Sequence, residues 1–157
     1  MTRITFDGLI LMLLATATTG CIRRWCGLPL EVTPISELAA GTESALVYYP
    51  AGSVIIADYG VPIELEKNSN RRGVAQIATL PGGCLWCASV KISDHTPERQ
   101  LPSLIAHEIG HLLGLFDIDE PDCVMEHAVK PWAKWCAVSA EILNRNYGWE
   151  IRDGEEI

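Results

Sequence analysis

One run in the C-terminal half, Ala106-His-Glu-Ile-Gly-His-Leu-Leu-Gly-Leu-Phe-Asp-Ile118, restricts what this chain can fold into more than any other part of it. Residues four apart share one face of a helix, so His107 and His111 are spaced to present two imidazoles to one metal ion. Glu108, next door, then leans over a water on that ion. Two histidines leave a tetrahedron short of a protein ligand. Gly114 can take the left-handed conformation closed to most residues, end the helix and turn the chain back, which brings Asp117 towards the same metal. Asp119 is the alternative third ligand. Three ligands and one open position are the arrangement of a catalytic rather than a structural zinc.

The 157 residues suit one compact domain, and 48% hydrophobic with 20% charged content suits a globular core. Net charge is −8, and because Arg3 and Asp7 cancel within the first twenty residues, the remainder keeps all of it. Such a balance carries no basic footprint for nucleic acid. A monomer is the expectation for the folded part.

Residues 1–20 read as an export signal: one basic residue, an apolar core at Leu9-Ile-Leu-Met-Leu-Leu14, then small residues. The core is too short to span a bilayer comfortably. Thr18-Thr19-Gly20-Cys21 resembles a bacterial lipoprotein cleavage site, although Thr18 stands where Leu is usual and Asp7 sits in a region normally basic. Cys21 would then be the lipidated first residue of a mature domain over 21–157, tethered to a membrane surface or, without lipidation, secreted. Removing Cys21 from the count leaves Cys26, Cys84, Cys87, Cys123 and Cys136, an odd number. In an exported protein these favour disulfides. A bridge from Cys123 to Cys136 would brace the segment around Met125, whereas Cys84-Leu-Trp-Cys87 is half of a second zinc site, a redox pair or part of structural bonds.

Along the chain, Leu28 to Val32 suggests a short strand, and Ile35 to Leu46 has helical spacing with Ser36 as cap and Gly41 weakening it. Runs rich in Val, Ile and Tyr predict strands at Ala45 to Tyr49, Val54 to Tyr59, Val61 to Glu66, Gly73 to Leu80 and Cys87 to Ser93. A helix opening at Thr96-Pro97-Glu98 or Leu101-Pro102 carries the metal motif, and Val138 to Tyr147, with Ser139 as cap and Gly148 as stop, closes the domain. The cluster Asp117, Asp119, Glu120, Asp122 lacks the glycine and final glutamate of an EF-hand and reads as a solvated acidic loop.

HExxH alone is a weak signal, but here Gly114 and Asp117 follow at fixed spacing and Cys123-Val124-Met125 comes a few residues on. Together these residues resemble the metzincin metalloproteases, with Asp117 in place of the commoner third His as in the snapalysin-like branch. Val138 to Gly148 resembles the C-terminal helix of matrixin-type members, and Gly73-Val-Ala-Gln-Ile-Ala-Thr-Leu-Pro-Gly82 is similar to the family's edge strand. The family's long first helix has no full-length counterpart. The resemblance implies an α+β fold: a twisted, mostly parallel sheet with an antiparallel edge strand, an active-site helix and a C-terminal helix. It implies one catalytic zinc on His107, His111 and Asp117, Glu108 as general base and acid, and Met125 as the apolar floor beneath the metal.

On that expectation the chain is a zinc endopeptidase acting on a peptide or protein substrate, in which Glu108 takes a proton from the zinc-bound water and passes it to the leaving amine. Asp in place of His makes the ligand set more negative and shifts the expected activity profile to alkaline pH. The rivals are a catalytically inactive metzincin-fold lipoprotein that binds zinc or a peptide, and a cytosolic protein with metal or redox cysteines. His127, two residues after Met125, stands where some metzincins place a Tyr near the metal; it is either a surface histidine or a contributor to oxyanion stabilisation. Trp132 and Trp135 either line a substrate pocket or fill core.

Overall fold

In the computed structural model the described residues are 24–25, 27–79 and 84–151. The expected export segment 1–20, the expected lipidation site Cys21, Cys26 and the turn at 81–83 lie outside them. Among the described residues no helix is long and apolar enough to cross a membrane.

Among the described residues six strands form one sheet: β1 (Arg24–Trp25), β2 (Leu30–Pro34), β3 (Val54–Ile56), β4 (Val61–Glu66), β5 (Gly73–Thr79) and β6 (Leu85–Ser93). β3, β2, β4 and β6 lie side by side and parallel. β5 runs antiparallel on the outer side of β6, from Gly73 opposite Ile92 to Thr79 opposite Leu85, and short β1 is also antiparallel to β6. This is an α+β fold with a mostly parallel sheet and an antiparallel edge. Alternation decides which strand residues go inward: Leu30 and Val32, Val61 and Ile63, Val90 and Ile92 are all buried, and they meet Ile105 and Ile109 of the motif helix in one core.

Three α-helices of the described residues accompany the sheet: α1 (Ala39–Ala45), α2 (Leu101–Leu112) and α3 (Ala137–Tyr147). Helix α2 is preceded by a 3-10 turn at Glu98–Gln100, so both expected openings contribute. It packs against α1, β5 and β6, and Ser103 to Gly110 are buried without a break. An α-helix this enclosed is apolar nearly all round, which makes its buried His107 and Glu108 the exceptions to be explained.

The region 45–49 departs from the expected strand. A 3-10 turn, Leu46–Tyr48, continues α1 instead. The β-branched and aromatic residues there answer to tertiary partners rather than to strand propensity. Tyr49 donates its hydroxyl proton to Ala106 O at 2.6 Å and stacks edge-on with Trp135, whose indole N–H reaches Tyr48 O. Gly41 marks the crossing of α1 and α2, because a Cβ there would lie 3.0 Å from Leu101 Cβ. Ser36 is not a cap; it opens a 3-10 turn, Ser36–Leu38, and bonds Glu37. Ser139 does not cap α3 either, for Cys136 holds that position and the Ser139 hydroxyl packs on the sulfurs of Cys136 and Cys123. Gly148, in the left-handed region at φ 68°, does end α3.

Tyr49→Phe should cost about 1 kcal/mol of stability, since it removes one buried hydrogen bond and leaves the ring packing intact. Denaturant unfolding of the two proteins measures this, and an unchanged midpoint would mean that the hydroxyl does not secure α2.

Candidate metal centre

Helix α2 delivers His107 and His111 on one face, with ring centroids 4.6 Å apart and nearly perpendicular. Each ring is then fixed from outside the motif. His107 Nδ1 lies 2.7 Å from Val124 O, and His111 Nδ1 lies 3.0 Å from Leu115 O. A carbonyl oxygen only accepts, so both Nδ1 atoms carry protons and both Nε2 lone pairs point inward. Those Nε2 atoms are 3.1 Å apart.

Asp117 arrives by the turn expected after the helix. Gly114 has φ 86° and no atom within 4 Å of a built Cβ, so it is the dihedral angle and not crowding that favours glycine there. Leu115 N–H closes back on Gly110 O and Ile118 N–H bonds Met125 O, which fixes the chain on either side of Asp117. Asp117 Oδ1 sits 3.3 Å from each histidine Nε2. A tetrahedral ion with bonds of about 2.0–2.1 Å would separate its ligand atoms by about 3.3–3.4 Å, so the triangle fits such an ion. Two imidazole nitrogens and a carboxylate oxygen converging at this range are satisfied either by a bound metal cation or by a proton on an Nε2. Glu108 lies within 4.8 Å of both histidine donor atoms, farther than Asp117. Its carboxylate accepts the Ala75 N–H instead, which leaves Asp117 as the better third corner.

Glu108 therefore bridges the site and the sheet edge. It is 3% exposed, and burial pushes its carboxyl up to about 8, against the pull of the Ala75 N–H and with a further push from Asp117. Burial also lowers the His107 imidazole, while its bond to Val124 O opposes that shift. Gly73 is glycine because a Cβ would come within 2.3 Å of Glu108 Oε1. Along a strand the N–H and C=O of one residue point the same way, and since Arg72 O accepts from Ser93 N–H of β6, Gly73 and Ala75 turn theirs to the side of β5 that no other described strand pairs. That side walls a cleft of about 1020 Å³ that also contains His107, Glu108, His111, Asp117 and His127.

Below the histidines Met125 is fully buried, with Sδ only 2.6 Å from where a Gly110 Cβ would stand. Met125 thus packs against the motif helix, and Gly110, which sequence reasoning passed over, is the residue that admits it. Its one signal is a glycine inside a helix, a choice that costs about 1 kcal/mol against alanine. The Val124 carbonyl was also missed, because a backbone acceptor leaves no letter in the sequence. A disulfide joins Cys123 to Cys136, as anticipated, and Cys84 and Cys87 are disulfide-bonded too, so they offer no thiolates to a second metal. Trp135 is core, whereas Trp132 is exposed and points its indole at Asp122. Asp122 is ion-paired to Lys130 at 2.7 Å within a solvated acidic loop, and Asp119 is exposed and takes no part in the triangle.

Gly110→Ala should destabilise the protein by about 1–3 kcal/mol despite the better helix former, because Met125 must move. Differential scanning calorimetry decides this, and a stabilised variant would remove Met125 from beneath the helix. In metal-free protein, a carboxyl raised from 4.5 to about 8 binds more protons folded than unfolded between those values. Stability is then lost as pH rises through that window. Glu108→Gln should accordingly match wild type near pH 4 and exceed it above pH 8, by at most about 5 kcal/mol, in urea titrations of the metal-free proteins. Compared with known proteins, the chain matches no family model and no curated protein.

Proposed function

We propose that the protein is a zinc-dependent endopeptidase of metzincin-like architecture that cuts an extended peptide lying along the free edge of β5. The observation that carries this proposal is the triangle of His107 Nε2, His111 Nε2 and Asp117 Oδ1, with the Glu108 carboxyl beside it and against the side of β5 that no other described strand pairs. HExxH on α2, the left-handed Gly114, the third ligand and the buried Met125 beneath the helix are the features that favour metzincin over other zinc sites. When bound, zinc would acidify water and polarise a carbonyl.

The chain's own groups do the rest. The Gly73 N–H and C=O and the Ala75 C=O hold a substrate backbone by adding it as a further strand, while the Ala75 N–H stays with Glu108. Glu108 takes a proton from the attacking water as the new C–O bond forms. It then delivers that proton to the nitrogen as the C–N bond breaks. In the metal-free protein burial raises this carboxyl to about 8, and a cation at the triangle would draw it back down, toward the ionised form a general base needs. We further propose that the protein is exported, since the disulfides match an oxidising compartment. The leader and the lipid anchor at Cys21 rest on the sequence.

The test is digestion of an unfolded protein by zinc-loaded wild type, Glu108→Gln and His107→Ala, with bound metal counted by plasma emission. Wild type should cleave; Glu108→Gln should keep its zinc and lose about 10²–10⁴ of the rate; His107→Ala should lose the metal. Equal cleavage by wild type and Glu108→Gln sinks the mechanism, and zinc binding without cleavage by wild type makes the protein a binding module. Gly73→Ala should cut the rate by about 10–100-fold at unchanged zinc content, since it displaces Glu108 and no ligand.

A further inference from the structure

Three groups form the triangle, and two of them have an outer partner already described: the Val124 carbonyl behind His107 and the Leu115 carbonyl behind His111. Asp117 is the third, and its position is harder to fix. It lies on a loop with its side chain 34% exposed, and the terminal torsion of an aspartate is broad rather than confined to sharp wells. Oδ1 serves the triangle. Oδ2 points the other way and meets His127 Nδ1 at 3.2 Å.

We infer that His127 is a positioning residue for Asp117, the outer partner that completes the set. The inference rests on the metal site proposed above. The turn holding His127 is tied to the Asp117 segment by the Ile118 N–H to Met125 O bond and closed by the Glu126 N–H to Cys123 O bond. The acid beside it, Glu126, is engaged elsewhere, for its carboxylate accepts the Asp122 N–H at 3.0 Å and lies 3.9 Å from Lys130 Nζ. His127 is therefore placed to donate to Oδ2, so that Asp117 offers one oxygen, in a fixed orientation, to the centre. Neutral imidazole with the proton on Nδ1 suffices for this, so the role requires no charge on the ring. Outer partners of this kind typically govern metal affinity by about 10–100-fold.

The experiment is zinc affinity, measured on the full chain by competition with a chromophoric chelator, for wild type, His127→Ala, His127→Asn and the control His95→Ala. Asparagine carries an N–H at nearly the place of Nδ1 but lacks the rest of the ring. His127→Ala should bind zinc about 10–100-fold more weakly, His127→Asn should recover most of the loss, and His95→Ala should match wild type. His127 is 76% exposed, so thermal unfolding of all four metal-free proteins should coincide. Affinity of His127→Ala within twofold of wild type overturns the inference and leaves the metal site standing. Failure of Asn to recover the affinity also overturns it, by making His127 a direct ligand. A wild type that binds no zinc removes both the site and the inference.

Discussion

The site depends first on where two imidazoles carry their protons. His107 and His111 each donate Nδ1–H to a carbonyl, and those carbonyls belong to Val124 and Leu115, on the loop that follows the helix. Spacing two histidines by four residues brings them to one face, yet an imidazole's terminal torsion is soft, and without those acceptors either ring could swing or take the other tautomer. With them, both Nε2 atoms face one point 3.1 Å from each other and 3.3 Å from Asp117 Oδ1. The helix sets the spacing, and the loop sets the chemistry.

A loop given that task cannot be loose, and this one is held without a helix or a named strand. Ile118 N–H bonds Met125 O, Val124 N–H bonds Lys134 O, and Lys134 N–H bonds Asp122 O. The Cys123–Cys136 disulfide closes the same stretch at a length that typically contributes about 3 kcal/mol. Met125 then seats against Gly110, so the segment that presents the Val124 carbonyl is also wedged under the helix it serves. Tyr147 O–H donates to Leu113 O at 2.9 Å and ties α3 to the end of the same helix.

What could be read from the sequence follows the range of the interactions involved. Helix α2, strands β4 to β6 and the stop at Gly148 come from local period and local turn chemistry, and they lie close to where the residues alone place them. The approach of Asp117 to the two histidines was legible because Gly114 makes the reversal local. Ala45 to Tyr49 misled because Val47, Tyr48 and Tyr49 have strand propensity, while contacts with Ala106 and Trp135, far along the chain, hold them in a turn. The roles of Gly110, Gly73 and the Val124 carbonyl are illegible for the same reason: each is defined by a partner distant in sequence. His127 shows its offset from Met125, but not which oxygen of Asp117 it faces.

These constraints leave a small region of conflict inside a stable frame. Valines and isoleucines of the sheet have no polar demands to meet, whereas Glu108 is an acid held where burial raises it to about 8, beside converging lone pairs and a carboxylate. A cation at the triangle would ease both conflicts together, since it attracts the lone pairs and offsets the negative charge that Asp117 adds near Glu108. Metal binding and folding are coupled through such groups, and a metal at this triangle would confine that coupling to α2, β5 and the loop that follows α2. The parallel strands β3, β2 and β4 are far less exposed to it. A chain built this way can keep its fold while one corner carries unmet polar demands, because the groups that oppose folding there are those that, on the proposed function, would hold the ion and move the proton.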